Sequence, residues 1–274
     1  MISSWDHGSD QRFVDYYAEA SLTAATRQRF VSIRDVVLRV FHERSTAARA
    51  LEVADIGCGA GSQCMVWAEL GHRLHGLDIN HRLLELAKER ALRAGHAIDF
   101  QLGSAAALPW PDGSMDVCLL LELLEHIGPW ESCLTECARV LRPGGVLFLT
   151  TTNKLCPLQQ EFNLPLYSWY PAPLKRHCER LATTTHPEWV NFAKYPAVNW
   201  FSFYSLRAFL TPLGFDCRDR FDLIEAPQNP AFKRGVLAAV RRSKMLRRLA
   251  HMLTRSTIVA AVKTKDARAR SAAK

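Results

Sequence analysis

At 274 residues, 48% of them hydrophobic, the chain has the length and apolar content of one α/β domain with insertions and ample means to bury a core. No apolar run approaches the ~20 residues of a membrane span and no signal peptide is evident, while eight cysteines without a Cys-x-x-Cys pair argue for free thiols in a reducing cytoplasm. The net charge of +8 is uneven: residues 226–274 hold thirteen Lys or Arg against Asp266 alone, a local +12 that leaves the rest of the chain at −4.

Residues 1–15 are polar, whereas 13–17 and 29–41 read as helix, the second with Phe30, Ile33, Val37, Val40 and Phe41 along one side. Residues 51–56 read as a buried strand running into a turn with Gly57, Gly59 and Gly61 at every second position, then a helix over about 62–70. Such glycines let the backbone turn with positive φ and leave no Cβ between main chain and ligand. The helix start adds unpaired N–H groups and a positive dipole end, which suits a nucleotide-like ligand. An ordinary strand-to-helix turn is the alternative, and the next strand, 73–78, weighs against it. It ends on Asp78, a carboxylate about 20 residues past the glycines, where a ribose hydroxyl pair binds in such folds.

A helix over 81–95 closed by Gly95, a strand over 98–102 and a turn at 109–113 follow. The strand at 116–121 comes next, and ligands of open parallel sheets bind at the C-terminal edge that Leu121 and Glu122 would occupy. If helix begins just after, Glu122, Glu125 and His126 share one face at i, i+3 and i+4. A helix over 129–141 is stopped by Arg142, Pro143, Gly144 and Gly145 before a strand over 146–151. Residues 153–202 are rich in aromatics and prolines and too long for a plain connector, so they read as a substrate cap. Those aromatics suit an aromatic or lipidic substrate and equally a small core of the cap's own. A helix over 204–213, a strand over 215–224, a basic amphipathic helix over 232–254 and a strand over 256–262 complete the chain.

Asp55, Gly57, Cys58, Gly59 and Gly61, then Gly76, Asp78 and Ile79, then 108–116, Leu124 to His126, and 141–145 follow one another in a telling order and spacing. Over roughly residues 45–152 the chain resembles the class I S-adenosylmethionine-dependent methyltransferases, and within them the branch of the ubiquinone- and menaquinone-pathway enzymes. The resemblance implies a Rossmann-like open seven-stranded sheet with helices on both faces, the last strand antiparallel, and an inserted cap. It divides the chain into a helical lid at 1–44, a cofactor core at 45–152, a cap at 153–203, the rest of the core with the basic helix at 204–265, and a tail at 266–274. It also implies S-adenosylmethionine as methyl donor and S-adenosylhomocysteine as product, bound by Asp55, Gly57, Cys58, Gly59, Gly61, Asp78, Ile79, Ser104, Ala105 and Leu121. In relatives an N-terminal aromatic and an arginine reach the methionine end, which makes Tyr17 and Arg29 candidates. Ser104 stands where many relatives carry an acid for the adenine amine, and a hydroxyl accepts more weakly than a carboxylate.

Glu122, Glu125 and His126 resemble a divalent-cation site of the ubiquinone-pathway O-methyltransferases, so Mg2+ is one reading; helix-start acids beside a packed histidine are the other. Displacement at a sulfonium methyl needs a nucleophile held on axis, and a phenol with pKa near 10 must also lose its proton. His126, Glu122 and His186 are the candidates for that chemistry, with His177 a further imidazole. The expected function is O-methylation of an aromatic, quinone-like or lipid-linked small molecule; N- or C-methylation of a soluble metabolite and cofactor binding without catalysis are the alternatives. A nicotinamide dehydrogenase is disfavoured because Ser62 and Gln63 follow Gly61, so the Gly-x-Gly-x-x-Gly spacing is absent. The basic helix suggests peripheral contact with an anionic membrane, and its one aromatic, Phe232, argues against nucleic acid.

Overall fold

Continuous apolar strands such as Met115–Leu121 and much of Leu141–Thr152 require cover on both faces, and the fold supplies it with helices on each side of one sheet. In this computed structural model, residues 15, 18, 19, 21–45, 49–159, 161–190, 197–225 and 230–264 are described. The elements run α1 (Ala24–His42), β1 (Glu52–Ile56), α2 (Ser62–Ala68), β2 (Arg73–Asp78), α3 (His81–Arg93), β3 (Asp99–Leu102), β4 (Met115–Leu121), α4 (Trp130–Val140) and β5 (Leu141–Thr152). Within the segment read as a cap lies α5 (Ala172–Thr184), followed by α6 (Phe203–Leu210), β6 (Phe215–Asp219), α7 (Arg220–Leu223), α8 (Ala231–Arg242), α9 (Lys244–Met252) and β7 (Ser256–Lys263).

The sheet order is β3-β2-β1-β4-β5-β7-β6. β3, β2, β1, β4 and β5 pair in parallel, and β7 inserts antiparallel between β5 and β6. This is the Rossmann-like methyltransferase sheet that the resemblance implied. Strand order reverses between β1 and β4, so the crevice at their C-terminal ends is where a ligand binds. One face is buried under Leu134 and Cys137 of α4 and Leu206 and Leu210 of α6; the other lies under Val37 and Phe41 of α1 and Trp67 of α2.

Several boundaries differ from the sequence reading. The strand expected over 215–224 stops at Asp219, whose carboxylate accepts from the Phe221 and Asp222 N–H groups and starts α7. That same buried carboxylate takes Arg247 Nε at 2.6 Å and faces His251 Nε2 at 2.8 Å, tying α9 to the sheet. The single basic helix is two, because Ser243 leaves helical geometry and caps α9 by accepting from the Leu246 N–H. β5 begins at Leu141 rather than after the glycines, since Leu141 already pairs with Met115 of β4 before the register shifts to Val117 opposite Val146.

The cap has its own core. Phe162 stacks on Tyr167 at 4.0 Å between ring centroids, and Tyr170, Trp189 and Trp200 pack around them. Most of the aromatics that could have signalled a substrate therefore fill the cap itself. All eight cysteines are free thiols, seven of them buried.

Candidate functional site

The glycine turn is held from beneath. Gly57 and Cys58 donate to the Leu77 carbonyl at 2.7 and 3.1 Å, and the three glycines adopt φ of +76°, +51° and +76°. Their roles separate. A Cβ on Gly57 would strike Leu123 at 2.7 Å and one on Gly61 would strike Ala87 at 2.9 Å, whereas one on Gly59 would meet only Leu83 at 4.0 Å. Gly57 and Gly61 thus serve close packing, and Gly59 keeps the open side of the turn clear.

Asp55 lies under the turn with 3% exposure and accepts from the Cys64 thiol at 3.2 Å; burial pushes its carboxyl up to about 7. Cys58 is buried beside it. Asp78 closes the turn instead. Its Oδ2 accepts the Gly59 N–H and its Oδ1 the Asn80 N–H, both at 2.8 Å, and burial raises its pKa. Each oxygen keeps a further lone pair for a ribose hydroxyl. Ile79 is 43% exposed, and Leu102, in register with Asp78, is 61% exposed. Two apolar side chains in the open at neighbouring strand ends suit the faces of a base. Leu102 was not foreseen, because only strand register brings it beside Asp78. Ser104 caps its own turn by accepting from the Ala106 N–H at 3.2 Å, ahead of Ala105. Gln63, also unforeseen, is buried on α2 with neither amide atom paired. These residues fit an adenosine-bearing cofactor.

β4 ends beside the turn. Leu121 is followed by Glu122 at φ +51°, a strained value for a residue with a Cβ, its N–H donating to the Thr150 carbonyl at 2.9 Å. The Glu122 carboxylate turns to Arg29 of α1 at 2.8 Å. Tyr17 lies outside the described residues.

A cavity of about 710 Å³ opens at this edge, lined by Arg29, Glu122, Glu125 and His126, the threonines at 150–152, Glu161, Arg220, Arg255 and apolar groups from α1, β5, α7 and β7. Glu125 is fully buried; its Oε2 accepts from the Thr151 hydroxyl at 2.8 Å and its Oε1 has no partner. Burial first, then the Glu122 charge, raises its pKa well above the ordinary carboxylate range. Glu161 comes from the cap, which no motif covers, so nothing in the sequence marked it.

The one-face arrangement of Glu122, Glu125 and His126 does not form. Only Leu124–His126 makes a short 3-10 turn, and Glu122 stands outside it in left-handed geometry, drawn to Arg29. Among the described residues no group of three or more His, Cys, Asp or Glu is placed to hold a metal ion, so the divalent-cation reading of Glu122, Glu125 and His126 gains no support. His186 is also displaced from its expected role. Its ring stacks on Trp189 at 4.4 Å, its Nδ1 meets the Glu188 carboxylate at 2.9 Å, and it does not line the cavity.

A family profile described as a methyltransferase domain matches residues 54–149. The ubiquinone biosynthesis O-methyltransferase of Chelativorans sp. is 35% identical over 129 residues, covering 46% of this chain and 51% of that protein. The chain thus spans about half the length of the curated relatives it matches. Among solved structures, YcgJ from Bacillus subtilis aligns with a TM-score of 0.51 at 18% identity, covering 85% of this chain and 99% of that one. Phosphoethanolamine N-methyltransferase 2 of Haemonchus contortus, in complex with S-adenosylhomocysteine, aligns at 0.52 and 16%, covering 92% and 60%. At such identities these two likenesses speak for the fold.

Proposed function

We propose that this chain, whose residues 54–149 match a methyltransferase-domain profile, is a class I S-adenosylmethionine-dependent methyltransferase that transfers a methyl group to a hydroxyl of a small-molecule acceptor. The observation that carries the reading is the cavity at the ends of β4 and β5, which Glu122 lines next to Leu123, the residue that lies against Gly57 of the glycine turn. S-adenosylmethionine supplies a methyl already activated by its sulfonium. Gly59 and Asp78 hold the nucleoside end, Ile79 and Leu102 flank the base, and the cavity holds the acceptor so that its oxygen meets the methyl at about 3–3.5 Å on axis. The bound cofactor would supply the leaving sulfur, and the acceptor hydroxyl would have to give up its proton. His126 and Glu161 face the cavity to take it; burial and the Glu122 charge push the Glu161 carboxyl up to about 7, a value suited to a base at neutral pH.

An aromatic, quinone-like or lipid-linked acceptor is supported by the names of the curated relatives and by the apolar wall of Ile33, Val36, Phe148, Leu223 and Ile258. The same proposal places the protein in the cytoplasm with reversible contact to an anionic membrane. On α8 and α9, Phe232, Met245 and Leu249 are exposed, with Leu253 just past α9, among Lys233, Arg234, Arg242 and Lys244, the pattern of an interfacial helix pair. Among the described residues no helix is long and apolar enough to cross a membrane.

The test is calorimetry with S-adenosylhomocysteine followed by transfer of labelled methyl to a panel of catechols and hydroxylated quinones. Carbon NMR of the product locates the new group. Cofactor binding with no methyl ever found on oxygen would overturn the O-methylation reading.

A further inference from the structure

The cavity carries charge of both signs. Arg220, the first residue of α7, spends one Nη on the Ser256 carbonyl and hydroxyl at 2.6 and 3.0 Å, yet its Nε is buried without a partner. Arg255 lines the same space just ahead of β7. Across from these cations in chemistry stand Glu125, with a buried unpaired Oε1, and Glu161, which makes no hydrogen bond or ion pair among the described residues.

The two sets do not cancel. Among the described residues no hydrogen bond or ion pair joins Arg220 or Arg255 to Glu125 or Glu161, and burial raises both carboxyls. Each buried polar atom left without a partner costs about 1–3 kcal/mol. A ligand that answers both sets at once would recover that cost, and neither a neutral hydrocarbon nor a simple anion does.

Building on the methyltransferase reading above, we propose that the acceptor is bipolar: an anionic group, carboxylate or phosphate, binds Arg220 and Arg255 while a hydroxyl donates to Glu125 and Glu161. The apolar wall takes the body that joins the two groups. Arg255 and Glu161 are then determinants of acceptor choice and not of cofactor binding.

The experiment measures affinities on protein saturated with S-adenosylhomocysteine. The probes are catechol, which lacks the anion, benzoate, which lacks the hydroxyls, and 3,4-dihydroxybenzoate, which has both. Catechol monophosphate separates phosphate from carboxylate. One of the two bipolar probes is expected to bind at least about tenfold more tightly than either single-pole probe, the gain of one charge-assisted contact. Arg255→Gln, at an exposed position, should erase the gain over catechol without changing catechol's own affinity. Glu161→Gln should erase the gain over benzoate. If all four probes bind alike, or none binds while S-adenosylhomocysteine still does, the bipolar acceptor is refuted. If S-adenosylhomocysteine itself fails to bind, it is the methyltransferase reading that falls.

Discussion

Asp78→Ala removes the carboxylate that closes the glycine turn and faces the expected ribose. In the protein its two oxygens accept the Gly59 and Asn80 N–H groups at 2.8 Å each. Hydrogen bonds to a charged partner contribute about 1.5–3 kcal/mol, so losing the ribose contact alone should weaken S-adenosylhomocysteine by roughly 10- to 100-fold. Loosening of the turn adds to that loss. The turn should persist nonetheless, because Gly57 and Cys58 still donate to the Leu77 carbonyl, a contact independent of the mutated side chain. Asp78→Asn keeps one acceptor oxygen and should fall between wild type and alanine. Isothermal calorimetry reads the affinities, and circular dichroism with thermal melting checks the fold. An alanine variant that binds within about twofold of wild type, with its fold intact, would refute the placement of the ribose at Asp78.

Asp55→Asn should flatten part of the pH dependence of stability. The native carboxyl titrates at about 7, above its unfolded value, so its contribution is full below about pH 4 and is lost as pH rises toward 7. Denaturant melts at pH 4 and 7 should show a smaller drop in the variant. Asp219→Ala leaves Arg247 and His251 without their buried anion and should destabilise by about 3–5 kcal/mol in urea unfolding. In the wild type that carboxyl is held far below the ordinary range by His251 and Arg247 against the opposing cost of burial. Its contribution is therefore present at neutral pH and lost only as pH falls below about 4, which acid titration of the melting curve should reveal. Vesicle flotation should show binding to phosphatidylglycerol-rich vesicles that falls with salt. Lys233, Arg234 and Arg242 changed together to Glu should abolish it; Arg247 is excluded because it holds Asp219. Retention of the wild type in the soluble fraction at low salt would rule the contact out.

The strands were legible because buried strands are written as short apolar runs, and the glycine turn because only glycine supplies φ of +76° with Leu123 or Ala87 so close. The strand ending at Asp78 was equally plain, since a carboxylate at a strand end is a local feature. Local pattern also misled. The strand read over 215–224 ran on past Asp219, but the capping bonds of that carboxylate and its pairing with Arg247 and His251, remote in sequence, go with a chain that turns into helix there.

Helical spacing put Glu122, Glu125 and His126 on one face, yet a contact 93 residues away, to Arg29, goes with a Glu122 in left-handed geometry outside the turn. Aromatic richness in the cap was visible, whereas its use as the cap's own core depended on Phe162 meeting Tyr167 and Trp200 in space. By itself the sequence determined the strand segments, the nucleotide-type turn and the acid at its edge, which rest on local pattern, while the arrangement of the strands in one sheet came from the family resemblance. Only the tertiary structure decided what lines the cavity, because Arg29, Glu125, Glu161, Arg220 and Arg255 come from separate parts of the chain and meet only where the ends of β5 and β7 pair.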